Sequence, residues 1–411
     1  MNQSNEIILV KISGDDKPGV TSSLAAIIAK HNATILDIGQ ADIHNSLSLG
    51  ILFKSKQEDS GFILKDILFK CSELGVSVRF NPISEEEYNR WVSMQGKNRY
   101  IVTLLGRKIS AELIASVSQV LAEQGLNIDT ITRLTGRVPL EVEEDSVTKA
   151  SVEMSVRGTP KDKQFLQSEF LRISQDLGYD ISFQEDNLFR RNRRLICFDM
   201  DSTLIETEVI DELAERAGVG NEVKAITESA MRGEIDFCES FKRRVSLLKG
   251  LDESVMQEIA ENLPIMEGAD RVLHILKKYG YKIAILSGGF TYFGNYLKQR
   301  FGIDYVYANE LEIVDGKLTG NYVGDIVDGK RKAELLRLIA QIENLDLQQV
   351  IAVGDGANDL PMLHSAGLGI AFHAKPKVKE NAKQSISSIG LDGVLYMLGF
   401  KDSYIEDAKR R

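Results

Sequence analysis

The stretch Leu195-Ile196-Cys197-Phe198 is followed directly by Asp199-Met200-Asp201-Ser202-Thr203-Leu204. Four consecutive apolar residues are typical of a short strand that is buried on both faces, as in a parallel sheet covered by helices. Two carboxylates at the end of such a strand can divide the chemistry, one attacking and binding metal while the other handles protons. The stretch therefore predicts the first strand of an α/β domain with a reactive site at its carboxyl end.

Two later apolar runs are each followed by polar residues, one set suited to phosphate and the other to a metal ion. The run from Lys282 to Leu286 leads into Ser287-Gly288-Gly289, whose hydroxyl and open backbone N–H groups suit phosphate oxygens. The run from Val350 to Val353 leads into Gly354-Asp355-Gly356-Ala357-Asn358-Asp359, a carboxylate-rich turn suited to Mg²⁺. Because ligands collect at the carboxyl ends of parallel strands, we expect the three turns to meet at one site.

The composition is that of a globular protein with several domains. The chain has 411 residues, 43% of them hydrophobic and 27% charged, and a domain takes about 150 residues. The net charge of −10 argues against a nucleic-acid-binding surface over the whole chain. The 3 cysteines lack zinc or CxxC spacing, the N-terminus lacks a signal-peptide pattern, and no run is long enough to span a membrane. We therefore expect a reduced, cytoplasmic protein.

The first half of the chain contains a repeat. Residues 6–83 are predicted to run strand, helix, strand, strand, helix, strand, and the pattern returns 92 residues later. These two βαββαβ units, with the turn Asp15–Gly19 in the first, resemble a tandem pair of ACT domains. The resemblance implies a regulatory amino acid, with serine the first candidate, and a homodimer. In the second βαββαβ repeat, Arg107-Lys108-Ile109-Ser110 replaces this turn. The alternative to amino-acid binding is that the two repeats serve only assembly.

The order of the motifs in the second half resembles the haloacid dehalogenase superfamily of phosphatases. The resemblance covers residues 195 to about 398 and rests on DMDSTL, SGG, an upstream lysine and VGDGAND, each in its place after a strand. It implies a Rossmann-like parallel sheet (the haloacid dehalogenase fold) with a helical cap. It also implies hydrolysis, because phosphatases of the superfamily carry an aspartate at the position of Asp201, where the related cation-pumping ATPases carry threonine.

A long polar, helix-forming insert, about residues 207–264, separates the first two strands. On its residues alone it is either a decorative helical subdomain or a lid. The segments Ile205 to Ala214, Met231 to Phe237 and Ser240 to Leu248 resemble the cap of the phosphoserine phosphatase family. That resemblance implies that Glu208 meets a substrate ammonium, that Arg244 binds its carboxylate, and that Met231 and Phe237 shape the cavity.

The same resemblance implies a role for each remaining motif residue. Of the three cations Lys330-Arg331-Lys332, the family spacing to Asp355 selects Lys332, and the other two are expected to be solvated. Asp199 is the implied nucleophile and Asp201 the proton donor and base. The implied ligands of Mg²⁺ are Asp199, the backbone carbonyl of Asp201 and Asp355, with Asp359 in support. The groups expected to hold the phosphoryl group or substrate are Ser287, Gly288, Lys332 and Asn358.

These expectations define the domains and the function. The predicted domains are ACT-like units at 1–86 and 98–185 and a phosphatase domain at 195–398. The basic run Arg190–Arg194 is interpreted as a solvated linker at the boundary. The expected activity is Mg²⁺-dependent hydrolysis of O-phospho-L-serine through an aspartyl-phosphate, the last step of serine biosynthesis. The alternatives are a phosphatase or phosphotransferase for another small phosphate ester, or an amino-acid-sensing regulator with a retired phosphatase fold.

Overall fold

The chain divides into two compact units, residues 1–97 and 98–411. The structure is a computed structural model that describes residues 5–94, 96, 98–137, 148–232 and 234–409; the side chains of Met231 and of residues 406–409 are outside that description. Gly233 of the predicted cap motif also lies outside the described residues. None of the helices among the described residues combines the length and the apolar character that a membrane-spanning helix requires.

The first unit is a four-stranded antiparallel sheet with two helices packed on it. Its elements are β1 (Asn5–Asp15), α1 (Val20–Lys30), β2 (Thr34–Ile43), β3 (Ser46–Lys56), α2 (Gln57–Leu74), β4 (Ser77–Ile83) and α3 (Glu85–Ser93). The strand order is β2-β3-β1-β4. Helix α1 buries Val20, Leu24 and Ile28, which recur every four residues and so lie on one helix face.

The start of the second unit repeats this arrangement. Its elements are β5 (Arg99–Gly106), α4 (Ala111–Glu123), β6 (Asn127–Arg133), β7 (Ala150–Arg157), α5 (Lys163–Leu177) and β8 (Asp180–Glu185). The strand order β6-β7-β5-β8 is that of the first sheet. The predicted repeat of two βαββαβ units is therefore confirmed.

A seven-stranded sheet follows, with helices on both faces. Its elements, after α6 (Leu188–Arg191), are β9 (Leu195–Phe198), α7 (Val209–Ala217), α8 (Gly220–Met231), α9 (Phe237–Ser246), α10 (Ser254–Glu261), α11 (Ala269–Lys278), β10 (Lys282–Phe290), α12 (Thr291–Phe301), β11 (Tyr305–Val314), β12 (Lys317–Val323), α13 (Gly329–Ile342), β13 (Val350–Gly354), α14 (Leu360–Ser365), β14 (Leu368–Phe372), α15 (Pro376–Asn381), β15 (Gln384–Ile386), α16 (Gly393–Met397) and α17 (Asp402–Lys409). The order is β12-β11-β10-β9-β13-β14-β15. Strand β9 lies at the centre and pairs in parallel with β10 and β13, so the polar segments at their carboxyl ends lie side by side. Ser287-Gly288-Gly289 was expected to follow β10 but lies within its last residues, where the pairing with β11 shifts register.

The insert between β9 and β10 folds into the helices α7 to α10, as predicted. The chain enters and leaves it along two short segments that pair with each other, through a bridge between Ile205 and Ile265. The Glu206 N–H donates to the Pro264 carbonyl at 2.9 Å, and the Met266 N–H donates to the Leu204 carbonyl at 3.0 Å. We call the paired segments 204–206 and 264–266 the cap hinge.

The second βαββαβ unit is fastened to the seven-stranded sheet. Strand β8 lies beside the edge strand β15, where the Gln384 amide bonds both backbone groups of Phe183, at 3.1 and 2.9 Å. The buried Asp180 carboxylate accepts the N–H groups of Ser387 and Ser388, each at 2.8 Å. Leu105 and Leu134 belong to the same apolar core as the strands of the sheet. Residues 98–411 are therefore one packed body.

The interpretation of Arg190–Arg194 as a solvated linker is wrong. Arg190 and Arg193 keep only 8% and 5% of their surface exposed. The Arg190 guanidinium pairs with Glu153 at 2.8 Å, and Arg193 donates to the Gln184 side chain at 3.1 Å. Both partners lie on strands of the second βαββαβ unit, so these cations join that unit to the sheet.

Candidate active site

The centre of the site is an ion-paired triad at the end of β9. Lys332, fully buried on α13, lies 2.9 Å from Asp199 and 2.7 Å from Asp359. Burial lowers the pKa of Lys332, but the two carboxylates more than offset this and raise its pKa overall. Lys330 and Arg331 lie on the exposed side of the same helix, where Arg331 pairs with Glu334 at 3.1 Å. The structure thus brings Lys332 to Asp199 and leaves its two neighbours on the exposed side of the helix.

Three carboxylates form a cluster that could hold a metal ion. One oxygen each from Asp199, Asp355 and Asp359 lies within 4.8 Å of the others. Burial and the neighbouring Asp359 raise the pKa of Asp199 well above its usual range and that of Asp355 to about 7. Crowded carboxylates of this kind repel one another, and a hard divalent cation relieves that repulsion. The donor set therefore fits a divalent metal, and Asp359, expected in a supporting role, lies in the same cluster as Asp199 and Asp355.

Asp201 lies beside the glycine turn of β10. Its carboxylate accepts the Val209 N–H at 3.3 Å, which ties it to the first turn of α7. Burial, and then the nearby Glu208, raise the pKa of Asp201 well above its usual range. A methyl group built on Gly289 would lie 2.5 Å from an oxygen of Asp201, so the close approach requires glycine there.

The Ser287-Gly288-Gly289 turn faces the same space. The buried Ser287 hydroxyl accepts the Gly289 N–H at 2.9 Å. The Phe237 ring of the cap covers Gly288, where an added methyl group would lie 2.9 Å from its Cζ. Asn309 donates to the Gly288 carbonyl at 2.7 Å and accepts the Val327 N–H at 2.8 Å. These two hydrogen bonds connect the glycine segment to the residues just before α13.

Two opposite charges of the cap lie near Asp201. Glu208 immediately precedes α7 and accepts a hydrogen bond from Ser202 at 2.9 Å. Arg244 on α9 interacts electrostatically with Glu208, Asp211 and Asp201. Burial lowers the pKa of Arg244, and burial also raises that of Glu208. In the described part of the chain no carboxylate lies within ion-pair distance of the Arg244 guanidinium. Its Nε donates to the Ser240 carbonyl at 3.4 Å, which leaves the two terminal nitrogens to bind a ligand.

The remaining predicted residues fall into two groups. Asn358 lies in the turn after β13, next to Gly356, and so joins the three-strand site. The side chain of Met231 is outside the described part of the structure.

Sequence reasoning gave no role to four residues that make contacts around the site. Asn309, Ser202, Thr203 and Asp211 received no role, yet Thr203 donates to Asp355 at 3.2 Å and Asp211 is near Arg244. Ser202 and Thr203 could have been found because they follow the two aspartates directly. Asn309 gives no local signal beyond being a polar residue in a strand.

Comparison with known proteins places the motifs in a family. The profile of the haloacid dehalogenase-like hydrolases matches residues 193–367, and two ACT-domain profiles match 6–81 and 99–184. Phosphoserine phosphatase SerB2 of Mycobacterium tuberculosis is 38% identical over 98% of this chain and 95% of its own length. The phosphoserine phosphatase of Streptomyces coelicolor is likewise 38% identical, over 98% of this chain and 94% of its own.

Solved structures agree in fold. A probable phosphoserine phosphatase from Vibrio cholerae superimposes with a TM-score of 0.57 at 35% identity, over 73% of this chain and 86% of its own. A haloacid dehalogenase family hydrolase from Salmonella enterica gives 0.62 at 30% identity, over 72% and 98%. With its two ACT domains and its site at the end of β9, the chain belongs to the phosphoserine phosphatase family of haloacid dehalogenase-like hydrolases.

Proposed function

We propose that this enzyme hydrolyses O-phospho-L-serine to L-serine and phosphate. The observation that carries the proposal is the cap pair of Glu208 and Arg244, which lies next to Asp201 at the end of β9. A phosphorylated amino acid carries an ammonium and a carboxylate in addition to its phosphate. A carboxylate and a guanidinium on the cap provide one partner for each, and Arg can bind a carboxylate through two parallel hydrogen bonds.

The metal in this proposal is Mg²⁺. The carboxylates of Asp199 and Asp355 and the backbone carbonyl of Asp201 would hold it, with Asp359 in support. When bound, the cation neutralises charge on the transferring phosphoryl group and on the attacking carboxylate.

The first half-reaction transfers the phosphoryl group to the enzyme. The Asp199 carboxylate attacks phosphorus in line, held by the Met200 N–H at 2.8 Å and by Lys332. The bond from phosphorus to the serine oxygen breaks as protonated Asp201 donates its proton to that oxygen. Serine leaves, and Asp199 carries the phosphoryl group as an acyl phosphate.

The second half-reaction returns the nucleophile. Asp201, now ionised, takes a proton from a water molecule that attacks the phosphorus, and the bond to the Asp199 oxygen breaks. Ser287, the Gly288 N–H, Lys332 and Asn358 hold the phosphoryl oxygens through both steps. Because the reaction releases serine, we propose that it is the last step of serine biosynthesis.

A phosphate-release assay tests the substrate. We expect phosphoserine to be preferred over phosphothreonine, sugar phosphates and para-nitrophenyl phosphate, and activity to require added Mg²⁺ after treatment with a chelator. Arg244→Ala should lower kcat/KM for phosphoserine by roughly 30-fold or more while affecting the aryl phosphate far less, since only the amino acid presents a carboxylate. Equal losses on both substrates would contradict the assignment of Arg244.

We further propose that the first ACT domain binds an amino acid, with serine the first candidate. Its β1–α1 turn borders a cavity of about 400 Å³ lined by Asp16 to Ser22 and Gln40. Gly19 caps α1 without a side chain, so the first N–H groups of the helix are open to a carboxylate. Strand β2 is the exposed edge of the same sheet and offers a surface for a homodimer.

A further inference from the structure

The turn that opens the first helix has a different partner in the second ACT domain. In the first domain Ser13 pairs with Ser77, and in the second Leu105 pairs with Asp180, so Gly106 is the equivalent of Gly14. Arg107 therefore occupies the place of Asp15 in the turn. Where the first turn borders a cavity, Arg107 reaches a residue of the phosphatase domain.

That residue is Glu267, which Arg107 binds through both guanidinium nitrogens. The two parallel hydrogen bonds measure 2.9 and 2.8 Å, the fork geometry in which Arg–carboxylate pairs are strongest. The Thr148 hydroxyl donates to the Arg107 carbonyl at 2.9 Å and so steadies the turn from within the second ACT domain. The contact joins two domains 160 residues apart in the chain.

Glu267 immediately follows the cap hinge. Ile265 and Met266 form the return segment of that hinge, and Glu267 connects it to Gly268 and α11. The other segment, 204–206, continues directly from the turn that carries Asp199 and Asp201. The return segment of the cap hinge therefore ends at the residue that Arg107 binds.

Glu267 has further contacts to both domains. Its carbonyl accepts the Leu391 N–H at 2.7 Å, so its backbone is held by the phosphatase core. Lys149 of the second ACT domain lies 3.6 Å from its carboxylate and pairs at 2.7 Å with the fully buried Asp392. Asp392 also pairs with Arg271 of α11 at 2.7 Å. The pair of Arg107 and Glu267 is thus the outermost member of a continuous ionic network.

We propose that Arg107 is a positioning residue for the phosphatase reaction: it fixes the return segment of the cap hinge to the second ACT domain. The inference rests on the proposed function, because it assigns Arg107 an influence on how the cap pair meets phosphoserine. Cap closure excludes water and completes the substrate contacts, so a hinge held in register presents Glu208 and Arg244 correctly. A loosened hinge leaves the nucleophile intact but places the cap less accurately.

The test compares a substrate that needs the cap pair with one that does not. We expect Arg107→Ala and Glu267→Gln each to lower kcat/KM for phosphoserine about fivefold. The same variants should change kcat/KM for para-nitrophenyl phosphate by less than about twofold, because that substrate has neither ammonium nor carboxylate. Arg107→Lys, which keeps the charge but loses the fork, should be intermediate.

A double-mutant cycle and a neighbouring control separate this role from general loosening. The double variant should lose no more than either single variant, since both remove one interaction. Lys108→Ala, in the same turn and without an ion pair in the described residues, should match the wild type. Additive losses, equal losses on both substrates, or wild-type values in every variant would overturn the role of Arg107. Absence of phosphoserine hydrolysis by the wild-type enzyme would overturn the proposed function itself.

Discussion

The two ACT domains have one strand order and two different surroundings. Residues 1–97 form a compact unit of their own, whereas the second domain shares a unit with the phosphatase. The β1–α1 turn of the first domain borders a cavity, and the equivalent turn of the second domain holds Glu267. The same fold therefore supports an open turn in one copy and a structural contact in the other.

Equivalent residues account for the difference. Asp180 at the start of β8 accepts three hydrogen bonds from Ser387 and Ser388, whereas its counterpart in the first domain is the exposed Ser77. Gly19 caps α1 with φ +98°, whereas Ser110 caps α4 with a side chain that accepts the Leu113 N–H. The two domains therefore differ in the contacts made by equivalent residues at the ends of strands and helices.

The largest expected effect comes from removing each domain in turn. A chain of residues 98–411 should keep its melting temperature within a few degrees, because the removed part is a separate unit. A chain of residues 186–411 should melt at least about 10 °C lower, because it loses Leu105, Leu134 and the partners of Arg190 and Ser388. Thermal unfolding followed by circular dichroism measures both, and equal melting temperatures would abolish the distinction between the domains.

A single buried carboxylate should give the next largest effect. Asp180→Ala leaves the N–H groups of Ser387 and Ser388 without their acceptor and should destabilise the second unit by about 3 kcal/mol. Ser77→Ala, at the equivalent exposed position, should change stability by less than about 0.5 kcal/mol. Urea denaturation of the full chain measures both changes. Similar changes in the free energy of unfolding for the two variants would mean that the hydrogen bonds of Asp180 to Ser387 and Ser388 add little to stability.

The smallest expected effect concerns amino-acid binding at the open turn. Gly19→Ala places a side chain at φ +98° and should weaken serine binding to the full chain about tenfold. Ala111 is the first residue of α4, next to the cap residue Ser110, so Ala111→Gly is the control at the start of the corresponding helix and should leave the affinity unchanged. Calorimetric titration with serine compares the two. A loss of serine affinity in Ala111→Gly but not in Gly19→Ala would place the ligand in the second ACT domain and contradict the proposal.

The predictable parts of the structure are those that depend on residues close together in the sequence. The apolar run 195–198 and the two aspartates after it are adjacent in the chain, and the run forms a fully buried strand as expected. Val20, Leu24 and Ile28 show the period of α1 directly. The Asp315-Gly316 pair between β11 and β12 is a local hairpin signal of the same kind, and both residues have the positive φ that its tight turn requires.

The parts that were missed depend on residues far away in the chain. Arg190 and Arg193 look like a solvated run until Glu153 and Gln184 are brought against them by the docked ACT domain. Asn309 acquires its role only when Gly288 and Val327 lie on either side of it. Helix α3 is different, because Ser84 and Glu87 form a capping box that is visible in the sequence and was overlooked.

The proposed mechanism requires that Asp199 carries the phosphoryl group of phosphoserine during turnover. The enzyme is mixed with phosphoserine and Mg²⁺, quenched in acid within milliseconds, and its intact mass and peptide masses are determined. The account predicts a protein heavier by one phosphoryl group, with the modification on the peptide that contains Asp199 and none in Asp199→Asn, which should also be inactive. An active Asp199→Asn enzyme, or a phosphoryl group found on another residue, would contradict it.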